Sequence, residues 1–540
     1  MTAVGPILLA VSLAAPTALF VACFFRRLRP AALALQWLAP LPALLAANFA
    51  LAGGPFDLEA PALKLTLRLD LPAALMLAAS ALLWIAVGAG AFLDRSERPE
   101  SRAAVSWLLT MIGSLGVFVA DDLLSFYLVY ALVSIPAYGM FAFDQSSATQ
   151  RAGRIYMAFA ILGEAFLLFA FGMLAVGEPH GSLRIPDVVA ALPSSPWRDA
   201  ALALLVAGFG AKIGLVPLNG WMPLSYAATP NPAAAVLSGA GVNAGVIGLV
   251  RFLPFGTALG SWGEALAVIG FVTAFYGVAI GFTQRNPKAI LAYSSVSQMG
   301  SIAAALGTAL ATGDARAPSL VAFYAANHGL VKGALFLTVG AFAARVIRST
   351  TWILLAAALA LSLAGIPFTG GALAKAAWKP LFGSGLAGSL TVASSAASAL
   401  LMLCFVSRLP QVAEYDATAS PSRLVSSWPW SAAGALLLPY LLFPFIGDLE
   451  DALSLSKLWD GLWPILVGGV LALGLSRVAD YVPRVPIGDT IVIGEAALDR
   501  SLASGVLFDR VDAVFRRWPA AGLALLTIAL ALAYATAYAR

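Results

Sequence analysis

Charge is scarce in this chain. Of its 540 residues only 11% are Asp, Glu, Lys or Arg, and 61% are hydrophobic, with a mean hydropathy of +0.89. Soluble domains carry roughly a quarter charged residues, so this composition excludes a soluble globular protein and leaves a polytopic membrane protein. Cysteine is almost absent. Cys23 and Cys404 both lie in apolar runs, so neither a disulfide framework nor an iron–sulfur or zinc site can be built from them. Histidine is limited to His180 and His328, and no glycine-rich phosphate loop opens a helix after a strand. No metal, cofactor or electron carrier is expected, and the chain reads as no enzyme by itself. The net charge of +5 would suggest nucleic acid for a soluble protein. Here loop arginines explain the excess, and no nucleic-acid signal is present.

Long apolar runs are what the chain does have. The first, residues 4–25, ends at Arg26, Arg27 and Arg29 and lacks both a basic leader and a small-residue cleavage site, so it reads as a membrane helix and not a signal peptide. Runs of about 20 residues recur as far as 519–538, which predicts an all-α membrane protein of about sixteen spans. The odd-numbered loops hold most of the arginine, including Arg95, Arg98, Arg151, Arg154, Arg285, Arg345, Arg348 and Arg408, together with Lys288. The positive-inside bias then places the N-terminus outside, in what reads as a bacterial cytoplasmic (inner) membrane. Among the poorer, even-numbered loops, PFDLEAPALKLTLRLD alternates with period two and predicts a short exposed hairpin. Asp121 and Asp122 sit at a span edge and read as interfacial. Residues 479–517 are the one long polar connection. From Glu495 to Arg516 and Arg517 the spacing fits an amphipathic helix, either lying on the membrane surface or gripping a neighbouring subunit.

Lysine is rarer still, at seven residues: Lys64, Lys212, Lys288, Lys332, Lys375, Lys379 and Lys457. Arginine keeps its proton in proteins, whereas a buried lysine can give its proton up, so lysines inside apolar spans suit a proton relay. A charge at bilayer depth costs roughly 2.5–3.5 kcal/mol on insertion scales, which makes each one a functional candidate. Lys212 lies inside an apolar run with Pro217 five residues on, the pattern of a broken helix beside a wet internal path. Lys375 follows Pro367 and Gly370–Gly371 in AGIPFTGGALAKAAWKP, a second broken span five spans later. An odd separation makes the two breaks cross in opposite directions, as in an inverted-topology repeat. Lys332 is four residues after His328, so both share one helix face. Glu164 is the only carboxylate well inside an apolar span. The bland alternatives are snorkelling lysines, a packing histidine and a neutral carboxyl in a helix contact.

These stretches resemble the antiporter-like membrane subunits shared by respiratory complex I, Mrp-type cation/proton antiporters and membrane-bound hydrogenases. The likeness rests on AKIGLVPLNGWMPLSYAATPNPAAAVLSGAGVNAG around Lys212, NPKAILAYSSVSQMG, NHGLVKGALFLTVG and AGIPFTGGALAKAAW, within residues 105–380. LSG before the eighth span and PRVPIGD at Pro483–Asp489 place it nearer the hydrogenase and Mrp branches. The resemblance implies proton movement through buried lysine, glutamate, histidine and water, with Lys212, His328, Lys332 and Lys375 at the family's functional positions. It also implies two five-helix repeats, 104–250 and 262–407, flanked by N-terminal helices 1–103 and a C-terminal part 408–540. Two positions depart. The family's Trp-Glu ahead of a proline reads Tyr130-Ala131 ahead of Pro136, and its lysine or histidine in the eighth span is Asn243, which can hold water but not change charge.

The function expected is proton translocation, with cation/proton antiport and sodium as a variant, by a membrane subunit of a larger energy-coupling complex such as an oxidoreductase or hydrogenase. The relay would be Lys212, Glu164, His328, Lys332 and Lys375, with Asn243 holding water and breaks at Pro217 and Pro367. Its partners would be other membrane subunits, the lipid bilayer and protons. The competing reading is a membrane scaffold or energy-coupling partner, for example of inorganic-carbon uptake, with reduced transport of its own.

Overall fold

The computed structural model describes residues 4–60, 65–93, 101–141, 146–344, 350–414, 421–477 and 482–502. Expectations for the run 519–538, for Arg516 and Arg517, and for Arg95, Arg98, Arg345 and Arg348 fall outside them. The chain opens with α1 (Val4–Ala22), α2 (Arg29–Leu35) and α3 (Leu41–Gly53), then the strands β1 (Phe56–Ala60) and β2 (Leu65–Leu69). α4 (Leu71–Leu93), α5 (Ser101–Gly116), α6 (Leu123–Ser134), α7 (Tyr138–Phe141) and α8 (Ser147–Gly177) follow. Next come α9 (Ile185–Ala191), α10 (Arg198–Ile213), α11 (Trp221–Ala228), α12 (Asn231–Val236) and α13 (Asn243–Phe252), with a π turn at Leu237–Gly241. The second half holds α14 (Gly260–Phe282), α15 (Pro287–Thr312), α16 (Ala317–Ala343), α17 (Thr350–Ala364), α18 (Gly370–Trp378) and α19 (Leu386–Arg408). α20 (Pro421–Leu442), α21 (Leu449–Ala452), α22 (Leu455–Ser476) and α23 (Asp489–Leu502) complete the described residues.

Eleven helical segments among the described residues are long and apolar enough to cross a membrane. The apolar runs predict about sixteen. Part of the difference is physical: the run 201–218 is cut between α10 and α11, the run 351–378 is cut between α17 and α18, and α5 is short.

The centre of the bundle is α15 and α16, which are almost wholly buried. Glycine makes the packing close. A Cβ at Gly263, Gly270 or Gly277 of α14 would stand 2.2–2.6 Å from backbone nitrogens of α15, and Gly300 and Gly307 answer from α15. Small residues at seven-residue spacing let two backbones touch, which is how helices gain packing where lipid offers no hydrophobic drive.

The polar connections sort to two ends. β1 and β2 pair antiparallel from Phe56↔Leu69 to Ala60↔Leu65. The hairpin is not exposed on both faces, since Leu67 and Leu69 point into the core. Arg68 N donates to Val119 O at 2.7 Å, and Thr66 N to the Asp122 carboxylate at 3.0 Å, tying the hairpin to the α5–α6 connection. Asp122 also caps α6 through Ser125 N at 2.8 Å. Asp121 pairs with Arg184 at 2.9 Å and with Arg251 at 3.8 Å. Burial pushes the Asp121 carboxyl up, against the pull of the Arg184 hydrogen bond. At 2% and 6% exposure these two carboxylates at the span edge are buried and partnered. Sequence separations of 56 residues and more hid the partners Thr66, Arg184 and Arg251.

At the other end, α23 begins at Asp489, six residues before the expected start at Glu495. Lys288, expected among solvated loop charges, is buried at the start of α15, where its amine donates to Thr229 O at 2.6 Å.

Candidate functional site

Lys212 sits in the last turn of α10, and the local sequence explains why the helix stops there. Gly214 takes a left-handed φ of 72°, Leu215 N reaches back to Gly210 O at 2.9 Å, and Pro217 has no N–H with which to continue. The break is then satisfied by side chains, as apolar surroundings require. Trp221 Nε1 donates to Ala211 O at 2.7 Å, and Val216 N donates to Thr273 Oγ1 at 3.1 Å. A cation near a helix C-terminus also lies at the favourable end of the dipole.

The Lys212 amine is buried and donates to Ser134 Oγ at 2.9 Å, between the rings of Tyr130 and Tyr156 at 5.8 and 5.7 Å. These groups border a narrow cavity of about 10 Å³, the room of one water molecule. Glu164 comes from α8, which crosses α10 at glycines: a Cβ on Gly208 would stand 3.0 Å from Gly163 O. The Glu164 carboxyl is 6% exposed and lies within electrostatic reach of Lys212 and of the Ser134 hydroxyl, which itself donates to Tyr130 O at 3.2 Å. Its Oε1 has no hydrogen-bond partner, and no ion pair within 4.0 Å joins it to Lys212. Ser134 therefore stands between acid and amine.

His328 and Lys332 are fully buried on one face of α16. Lys332 Nζ donates to Leu291 O of α15 at 2.8 Å, whereas neither His328 ring nitrogen has a partner. Asn243 opens α13 after the π turn, and its Nδ2 donates to Ala325 O at 3.2 Å with Oδ1 unpartnered. A Cβ on Gly329 would lie 2.6 Å from Gly239 O and 3.0 Å from Asn243 Nδ2, so the π turn brings Asn243 against the His328 face.

Lys375 lies in the last turn of α18. α17 ends at Ala364, Gly365 takes φ 94° and Phe368 φ 62°, and Thr369 caps α18, so Pro367 falls in the break. The Lys375 amine returns across it to Ala364 O at 2.8 Å and also donates to Ser395 Oγ at 2.8 Å. Lys379 pairs with Asp460 at 2.6 Å with both side chains about half exposed.

Several groups in this region carried no sequence signal. Tyr324 donates to Gln298 Oε1, and Gln298 Nε2 donates to Ser398 Oγ at 3.0 Å, one turn from Ser395. Tyr324 stacks on Trp378 with centroids 3.6 Å apart, four residues along α16 from His328 and three along α18 from Lys375. These hydroxyls and amides bridge the His328 region to Lys375. Asp489 is a further buried carboxylate: Tyr293 donates to Oδ1 at 2.8 Å and Tyr276 donates to Oδ2. The PRVPIGD motif was its one cue.

The sequence profile of the NADH:quinone oxidoreductase/Mrp antiporter transmembrane family matches residues 120–404, a stretch that holds Glu164, Lys212, Asn243, His328, Lys332 and Lys375. The chain is 34% identical over 262 residues to NADH-quinone oxidoreductase subunit N of Desulforudis audaxviator, covering 47% of this chain and 51% of that protein. It is 29% identical over 295 residues to hydrogenase-4 component B of Escherichia coli, covering 52% and 44%. The alignments thus span about half the length of these relatives. Among solved structures, the Mrp complex from a Dietzia species matches with a TM-score of 0.72 at 20% identity, over 99% of this chain and 63% of that one, a likeness of fold.

Proposed function

Since the chain belongs to the NADH:quinone oxidoreductase/Mrp antiporter transmembrane family, we propose that it translocates protons as one membrane subunit of a larger energy-coupling complex. The observation that carries this reading is that three lysines, Lys212, Lys332 and Lys375, are buried with their amines on neutral oxygens, two of them beside helix breaks. A lysine so placed exchanges its proton at modest cost, because desolvation opposes its charged form and a nearby oxygen can take the proton's hydrogen bond. Glu164 holds the charge on Lys212 through Ser134. Lys212 then passes its proton by way of Asn243 and hydrating water to the unpartnered nitrogens of His328, and so to Lys332. Tyr324, Gln298, Ser398 and Ser395 continue the path to Lys375.

In this reading the two broken helices, α5, α20 and the run 519–538 each count as one span beside the eleven, which returns about sixteen spans with the N-terminus outside in a bacterial inner membrane. Spans 104–250 and 262–407 form two inverted five-helix units. Sodium is a second candidate ion. A scaffold with reduced transport is favoured by Ala131 and Asn243, where the expected ionisable groups are missing; the position of Glu164 beside Ser134 argues for retained transport. The test is proton uptake by proteoliposomes of the purified chain under an imposed pH difference with the membrane potential clamped. Uptake above protein-free vesicles supports transport. Uptake equal to them supports the scaffold.

A further inference from the structure

A cavity of about 270 Å³ leads from the surface to the Lys375 amine, at the end of the bundle where α18 stops and α19 and α22 begin. Three helices each give it one face at a spacing of three or four residues. α18 contributes Lys375 and Lys379, α19 contributes Gly388, Thr391 and Ser395, and α22 contributes Lys457, Asp460 and Pro464. From Gly388 to Ser395 is about 10 Å at 1.5 Å per residue, so the cavity is a shaft along the helices. Its rim is polar, with Ser384 and Ser389 exposed and the Lys379–Asp460 ion pair across it. Lys375 Nζ and Ser395 Oγ, 2.8 Å apart, lie at its floor. Asp460 is the one carboxylate among the described residues that line the shaft, against three lysines. Lys379 takes that carboxylate, which leaves Lys457 on the rim with no ion pair of its own among the described residues.

We propose that this shaft is the ion-selecting port of the relay, with Lys379 and Lys457 setting a positive field that keeps sodium out while water and hydroxide reach Lys375. The proposal rests on the proton reading above, since it takes Lys375 as the end of that path. Charges lining a narrow cleft with low-dielectric walls focus their field into it, so an excess of lysine repels a metal cation along the whole length. A proton needs no cation in the shaft. Hydroxide drawn in from the solution takes the proton of the Lys375 ammonium: the N–H bond breaks as an O–H bond forms, and the products are a neutral amine and water. In the reverse sense water reloads the amine and hydroxide leaves. Sodium has no such anionic counterpart, so the lining that serves proton exchange bars it. Asp460 holds the Lys379 amine at the rim and offsets one of the charges.

The experiment places a thiol in the shaft of the full purified chain by Thr391→Cys, with the native cysteines removed by Cys23→Ala and Cys404→Ala. The rates of modification by two membrane-impermeant reagents are measured, anionic methanethiosulfonate ethylsulfonate and its cationic trimethylammonium analogue, each divided by its rate with free 2-mercaptoethanol. The thiol should react, and the anionic reagent should be about tenfold faster after that normalisation. Lys379→Gln together with Lys457→Gln should bring the ratio to about one, and Asp460→Asn should raise it. Ala376→Cys on α18 reads the same shaft should Thr391→Cys fail to fold. Labelling needs no transport, so a chain that moves no protons still tests the port. No labelling by either reagent would overturn the assignment. So would equal normalised rates, or a ratio that the two lysine changes leave unmoved.

Discussion

The amine of Lys212 donates to the hydroxyl of Ser134, 78 residues earlier in the chain, at 2.9 Å. The same hydroxyl interacts with the Glu164 carboxyl, so one small side chain on α6 connects an acid on α8 with a base on α10. Three helices of different sequence position thus meet at one buried polar cluster.

Ser134→Ala removes the acceptor of the Lys212 amine and leaves a buried donor unmet. A loss of about 1–3 kcal/mol of stability is expected, together with slower proton uptake. Ser134→Thr retains the hydroxyl and should retain most of the uptake. Uptake by Ser134→Ala equal to the parent in proteoliposomes would remove Ser134 from the path.

What could be read from the sequence was what is local along the chain. Lys212 with Pro217 and Lys375 with Pro367 show in the apolar runs because a charge and a missing N–H conflict with a membrane helix wherever they occur. Glu164 stood out for the same reason. Ser134, Ser395 and Gln298 did not, because a hydroxyl or amide inside an apolar helix has no periodic signature and gains meaning only from the helix it faces. The burial of Asp121 and Asp122 was not legible since their partners Thr66, Arg184 and Arg251 lie on other connections. The burial of Lys288 was not legible because the carbonyl it donates to, Thr229 O, is one that composition cannot reveal. The span count suffered where a run that looked continuous folds as two short helices.

Lys332→Met should reduce proton uptake strongly, since it removes the one titratable amine between Lys212 and Lys375 on α16. His328→Ala should reduce it less. Both ring nitrogens of His328 lack partners, so its loss strands no protein group, and water can bridge a missing imidazole. Uptake equal to the parent in Lys332→Met at equal expression would exclude Lys332, and a greater defect in His328→Ala would reverse the order of roles.

Asp489 fastens the start of α23 between α14 and α15 through Tyr276 and Tyr293, and Arg151 adds an ion pair to Glu495. Hydrogen bonds to a charged group contribute about 1.5–3 kcal/mol, so Asp489→Ala should raise local opening of this segment about tenfold or more. Trypsin cleavage after the exposed Arg484 reports it. Cleavage no faster than in the parent would show that the apolar contacts of Gly488 and Ile491 suffice.

The most direct test of the relay is a double-mutant cycle on Glu164 and Lys212, reading melting temperature and proton uptake together. Breaking a buried charge pair by removing one partner costs about 3–5 kcal/mol, whereas removing both leaves no stranded charge. Glu164→Gln and Lys212→Gln should each lower stability and uptake, and the double variant should regain stability while uptake stays low. If Glu164→Gln leaves both melting temperature and uptake at parental values, the acid on α8 does not serve the amine on α10, and the account of the first half of the path is wrong.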